Sequence, residues 1–137
     1  MTAANLAILD TSVYIDNLRS GRFKQEILDL KFVVRLSAVV LAELSRGDRS
    51  REMKRFVDDL AKNLRISAPN EREWIQSGRI VNRLVAAKAL IFTKPERFIF
   101  DVLIALTARR IGAYLITRNV DDFTAVREFL DFNLVCW

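Results

Sequence analysis

The sequence contains no histidine and only one cysteine, Cys136. The first absence removes Ser-His-Asp and Cys-His catalysis, the usual zinc hydrolases and every histidine general base. The second excludes an intramolecular disulfide and any multi-cysteine zinc site. Glycine and proline are also scarce, at 4 and 2 residues, and no linker, repeat or low-complexity segment interrupts the chain. No apolar run approaches the ~20 residues of a membrane span. Met1 to Asp10 lacks a basic region followed by an apolar stretch, so no signal peptide is read there and a cytoplasmic location is expected. Chemistry, if there is any, must come from carboxylates, lysines, tyrosines or an oxygen-ligated metal.

What is present is a soluble, globular composition: 51% hydrophobic and 28% charged residues over 137 positions. That length suits one domain, 1–137, in which roughly two thirds of the unfolded surface is buried. The net charge is +5, and excess positive charge attracts polyanions. Short apolar runs alternate with helix-like stretches. Strands are expected at Leu6 to Leu9, Lys31 to Leu36, Leu64 to Ser67, Ala113 to Thr117 and Asn133 to Cys136. Helices are expected at Val13 to Arg19 and Phe23 to Leu30, and at Ala38 to Arg46 behind a capping Ser37. Others are expected at Ser50 to Asn63, from Asn70 to about Leu90, from near residue 94 to Arg110, and at Asp121 to Leu130. Asn70 and Glu73 have capping-box spacing, and Thr93-Lys94-Pro95-Glu96 repeats the signal. Strands alternating with helices predict a three-layer α/β/α fold on a mainly parallel sheet. Ligands in such folds bind at the carboxyl ends of strands, at a switch point.

Carboxylates gather at those ends. Asp10 closes the first strand, and Asp121 and Asp122 follow a later one. Glu43 and Asp101 each sit inside an apolar helical run. Burying an unpaired carboxylate costs on the order of several kcal/mol, and no lysine or histidine in the sequence is obviously matched to each of these four. A divalent ion neutralises them together, and oxygen ligands are what Mg²⁺ and Mn²⁺ prefer. Each residue also has a plainer reading: Asp10 as a cap, Glu43 as a solvated side chain, Asp101 as a helix-start residue, and Asp121 or Asp122 as a cap. It is the set of four that points to a metal site.

The segment Ile8-Leu9-Asp10-Thr11-Ser12-Val13 resembles the first motif of PIN domains of the VapC toxin group. Leu36-Ser37-Ala38-Val39-Val40-Leu41-Ala42-Glu43-Leu44 resembles the second, and Phe100-Asp101-Val102-Leu103-Ile104-Ala105 the third. Leu115-Ile116-Thr117-Arg118-Asn119-Val120-Asp121-Asp122-Phe123 resembles the fourth. The match runs in order over nearly the whole chain. It implies a PIN fold, Mg²⁺- or Mn²⁺-dependent cleavage of RNA, a homodimer, and a cognate antitoxin protein that blocks the site. By the same resemblance Asp10, Glu43, Asp101 and Asp122 are the catalytic and metal-binding acids. Thr11, Ser12, Thr117, Asn119 and Asp121 support them. Phe100 departs from the pattern, because many members carry Asn there. Phe123 fixes the register and favours Asp122 over Asp121.

Five basic residues lie between Ser45 and Arg55, Arg79 and Arg83 share a helix face, and Arg118 lies within the fourth motif. Arg46 and Arg118 are the expected RNA contacts, being nearest to the acids in sequence. Trp74 and Trp137 are expected in core or dimer packing before base stacking. Two other enzyme and signalling readings fit less well. A haloacid-dehalogenase type of phosphohydrolase needs an Asp where Ser12 stands, and a receiver-like domain needs one after the strand Leu64 to Ser67. A PIN domain that binds RNA or protein without cutting is the remaining alternative, and Phe100 is its one support.

Overall fold

A computed structural model describes residues 5–20, 32–88 and 97–137. Five parallel strands form one sheet: β1 (Asn5–Leu9), β2 (Phe32–Ser37), β3 (Ile66–Ser67), β4 (Tyr114–Thr117) and β5 (Asn133–Cys136), in the order β3-β2-β1-β4-β5. Helices on both faces are α1 (Thr11–Ser20), α2 (Ala38–Gly47), α3 (Arg51–Asn63), α4 (Glu71–Lys88), α5 (Arg97–Ile111) and α6 (Val120–Arg127). This is the α/β layering that the alternating pattern predicts. The expected helix over Phe23 to Leu30 and the capping signal at Thr93 to Glu96 lie outside the described residues.

The central strands β1 and β4 read as apolar runs because both of their faces are covered. Ala7, Ile8 and Leu9 of β1 and Leu115 and Ile116 of β4 are all but inaccessible to solvent. The chain lays down β1, β2 and β3 to one side, then returns past β1 to form β4 and β5 on the other. The switch point therefore falls between β1 and β4, whose registers pair Leu9 with Ile116. Asp10 extends that ladder by one bond, its amide donating to the Ile116 carbonyl at 2.9 Å.

Local chemistry sets where the helices begin and end. Ser37, fully buried, accepts from the Val39 and Val40 amides at 3.1 and 3.3 Å, which starts α2 directly off β2. Ser50 caps α3 by accepting from the Met53 amide. In the capping box of α4, the Asn70 amide donates to Glu73 Oε1 and the Glu73 amide to Asn70 Oδ1. Glu73 also receives Arg110 Nε from α5 at 3.0 Å, tying α4 to α5. Helix α5 is apolar nearly all round and Val102 to Ala108 are buried, as such a helix must be. It ends where Gly112 adopts φ +71, with Ala113 N–H reaching Ala108 O and Gly112 N–H reaching Arg109 O. That six-to-one and five-to-two pair is a Schellman stop.

Most boundaries fall within a residue or two of expectation, and two of those that differ have a local cause. Strand β3 has two residues instead of four, because β2 offers it only Leu36 and Ser37 as partners. Helix α6 stops at Arg127 and not at Leu130, since Glu128 and Phe129 bond back three residues to Ala125 and Val126 and tighten the chain into a turn. No helix among the described residues is long and apolar enough to cross a membrane.

Candidate active site

A cavity of about 450 Å³ opens at the carboxyl ends of β1, β2 and β4, and Asp10, Glu43, Asp101 and Asp122 all line it. Each acid arrives from a different element. Asp10 follows β1, Glu43 sits mid-way along α2, Asp101 lies one turn into α5, and Asp122 lies in the first turn of α6. The two apolar helical runs thus bury their hydrophobic residues and turn one carboxylate each toward the cleft.

Asp10 is the most enclosed of the four, at 4% exposure. Its Oδ2 receives the Ser12 hydroxyl at 2.8 Å and the Thr117 hydroxyl at 2.9 Å. Both hydroxyls are themselves oriented from β4 onward. The Arg118 amide donates to Ser12 Oγ at 3.2 Å, and the Asn119 amide donates to Thr117 Oγ1 at 2.9 Å. An amide can only donate and an ionised carboxylate can only accept, so each hydroxyl points its one proton at Asp10. The 3.4 Å approach of Ser12 Oγ to Thr117 Oγ1 is then a packing contact. Burial raises the Asp10 carboxyl above the usual aspartate value, and the hydrogen bonds from Ser12, Thr117 and the Thr11 and Ser12 amides pull against that rise.

The other acids are held in the same manner. The Thr11 hydroxyl donates to Glu43 Oε1 at 2.9 Å, linking α1 to α2 across 32 positions of sequence. Asn119 is the N-cap residue of α6 yet makes no side-chain cap. Its Nδ2 donates to Asp122 Oδ2 at 2.8 Å instead. A side chain that leaves its own helix end uncapped to orient a carboxylate is spent on the site. Phe123, fully buried, locks the turn so that Asp122 faces the cavity, while Asp121 is exposed and outside its lining.

Arg46 also lines the cavity, with its guanidinium carbon 5.4 Å from the centroid of the Phe100 ring. Arg118 is placed differently from its sequence neighbour Asn119. Its Nη1 lies 3.6 Å from Asp16 Oδ2, and it is not part of the lining. Asp16 escaped the sequence reading, although it stands one helical turn after Ser12 on α1. Ile15, Gly47 and Phe100 complete the wall. Trp74 is 51% exposed on α4, away from any core of this chain, whereas Trp137 packs partly against the core.

The donor set is oxygen only, which suits a hard divalent cation. Among the described residues no three acidic or cysteine side chains stand close enough to close on one ion unaided. Mg²⁺ does not ask for such a cage, because it keeps several waters and takes one or two carboxylates directly. The cleft has room for a hydrated ion, and its hydrogen-bonded acids fit that mode of binding.

Comparison with known proteins follows the same lines. A family model described as PIN domain matches residues 7–128. Among solved structures, VapBC-1 from nontypeable Haemophilus influenzae superposes with a TM-score of 0.70 at 23% identity, covering 96% of this chain and 98% of that one. VapBC2 from Rickettsia felis, bound to a DNA fragment from its promoter, gives 0.67 at 21% identity, with 96% and 98% covered. FitAcB from Neisseria gonorrhoeae gives 0.64 at 21% identity, with 93% and 95% covered. No curated protein sequence gives a match.

Proposed function

The chain belongs to the PIN domain family, and from that premise we propose that it is a Mg²⁺- or Mn²⁺-dependent endoribonuclease, the toxin of a VapBC-type toxin–antitoxin pair. The observation that carries this reading is the convergence of four carboxylates, from four separate elements, on one cleft at the sheet's switch point. Nothing in the core requires them there, and each charge held close to apolar helices costs stability that an apolar residue would not.

In this reading Asp10, Glu43, Asp101 and Asp122 would hold a hydrated cation, one or two of them directly and the others through its waters. When bound, it supplies an activated water and neutralises charge on the phosphoryl group under attack. The chain's own contribution is orientation. Ser12 and Thr117 fix the Asp10 carboxylate, Thr11 fixes Glu43, and Asn119 fixes Asp122. Preset ligands do not need to reorganise as the reaction proceeds. A basic chain with an acidic cleft suits a polyanion gathered by the surroundings and cut at the cleft.

The likeness to VapBC and FitAcB structures over nearly the full chain supports a cognate antitoxin as the physiological partner, and the resemblance of the four motifs to VapC toxins implies a homodimer as the working form. The test is cleavage of a mixed cellular RNA pool with Mg²⁺, with Mn²⁺ and with EDTA, beside an Asp101→Asn control. Discrete, metal-requiring fragments that vanish in the control are expected. Equal cleavage by the control, or none by the folded chain with either metal, defeats the assignment.

A further inference from the structure

Among the described residues lining the carboxylate cleft, Arg46 is the one cation. An acidic cleft repels a phosphodiester, so whatever holds the strand against it must carry positive charge close by. Arg46 sits in the last turn of α2, exposed, one helical turn beyond Glu43. An exposed arginine ordinarily samples many rotamers and gives up that freedom on binding. Here the Phe100 ring lies beneath the guanidinium at 5.4 Å. The ring's negative face attracts the cation without consuming any of its five N–H donors.

We propose that Phe100 is a positioning residue, whose ring holds Arg46 at the rim of the cleft so that the guanidinium grips a phosphate of the bound RNA strand. The inference rests on the ribonuclease reading above. It gives Phe100, which occupies the position where many members of the resembling family carry Asn, a task of its own. Arginine suits that task because its planar fork pairs with phosphate oxygens in two-point fashion while its face stays on the ring.

The experiment measures binding of a single-stranded oligoribonucleotide by fluorescence anisotropy. All chains carry Asp101→Asn to prevent cleavage, and monovalent salt is varied at fixed Mg²⁺. Arg46→Ala is expected to weaken binding and to flatten the slope of log Kd against log salt by about 0.7, the share of one phosphate contact on a single strand. Phe100→Leu is expected to weaken binding about two- to fivefold, the factor that a cation–π contact at an exposed site supplies. Phe100→Tyr should retain full affinity. Adding Phe100→Leu to Arg46→Ala should cost nothing further. Phe100→Met, which keeps more of the packing volume, replaces Leu if that variant does not fold. Equal losses with arginine or alanine at position 46, or no loss on removing the ring, overturns the role of Phe100 while leaving the nuclease reading standing. No RNA binding by the parent chain overturns both.

Discussion

Thr117 donates its hydroxyl proton to Asp10 Oδ2 across 2.9 Å, although 107 positions of sequence separate the two residues. The bond joins the ends of neighbouring strands β1 and β4, and both partners are buried. It makes the fold and the candidate site depend on each other, because the sheet register that pairs Leu9 with Ile116 also brings hydroxyl and carboxylate together.

Replacing Thr117 with Val keeps the shape and removes the donor. The variant should lose about 1.5–3 kcal/mol at neutral pH, the range for a hydrogen bond to a charged group. The sign of the pH dependence follows from Asp10. Its folded value is raised by burial, so its contribution to stability is whole below the usual aspartate range and is lost as pH rises through the raised value. Thr117→Val raises that value further, so the gap between variant and parent should open as pH rises. Thr117→Ser should close most of it. Urea titrations at a series of pH values check this, and a gap of constant size would contradict it.

A cation that binds the folded chain alone stabilises it, by about 2.7 kcal/mol at a hundredfold excess over Kd. Thermal unfolding should therefore move upward in Mn²⁺ or Mg²⁺ relative to EDTA. Asp101→Asn and Asp122→Asn should each blunt the shift. An unchanged Tm for the parent in either metal would show that the four carboxylates do not act as a cation site.

Much of this architecture was legible from the sequence, for identifiable reasons. Parallel strands buried on both faces leave unbroken apolar runs, and Ala7 to Leu9 and Leu115 to Ile116 are such runs. Side chains that cap helices leave short, local signals, as Ser37, Ser50 and the Asn70–Glu73 pair do. The shared cleft followed from acids placed at strand ends and inside apolar helices. Long-range pairings were not legible. Arg118 is expected to contact RNA because Asn119 and Asp122 follow it, and the ion pair it makes with Asp16 on α1 was not legible. The stacking of Arg46 on Phe100 joins α2 to α5 and has no trace in local spacing. Asp121 and Asp122 differ only in which way the first turn of α6 faces, and the buried Phe123 beside them was the clue to that register.

Tyr14 is buried at 4% exposure, and its hydroxyl has no hydrogen-bond partner among the described residues. Its ring meets Phe56 edge-on at 6.1 Å, a contact that phenylalanine keeps. A buried hydroxyl without a partner costs about 1–3 kcal/mol, so Tyr14→Phe should stabilise the chain by up to that amount. Burial pushes the phenol above its usual value near 10.0. A raised value means that stability is whole below the ordinary tyrosine range and falls as pH climbs beyond it. The advantage of the Phe variant should therefore grow above about pH 10. Denaturant midpoints at neutral and alkaline pH decide it, and a destabilised variant would mean that the hydroxyl has a partner.

Arg118 and Asp16 form a partly exposed pair at 3.6 Å, with 30% and 35% of their side-chain surfaces accessible. Such pairs contribute roughly 0–1 kcal/mol, because water screens both charges and ordering two side chains costs entropy. Asp16→Asn should accordingly leave the unfolding midpoint almost unchanged. Its effect on RNA should be larger in proportion. It removes a negative charge 3.6 Å from a guanidinium whose backbone amide is anchored to Ser12 of the cleft wall. An oligoribonucleotide should bind Asp16→Asn more tightly at low salt, and the gain should shrink as salt rises and screens the added positive field. Asp16→Asn with Arg118→Ala should bind no better than Arg118→Ala alone if Arg118 is the source of the gain. A gain that persists in the double variant would assign it to the lost acid itself, and unchanged binding in Asp16→Asn would leave Arg118 a structural residue of the β4–α6 turn.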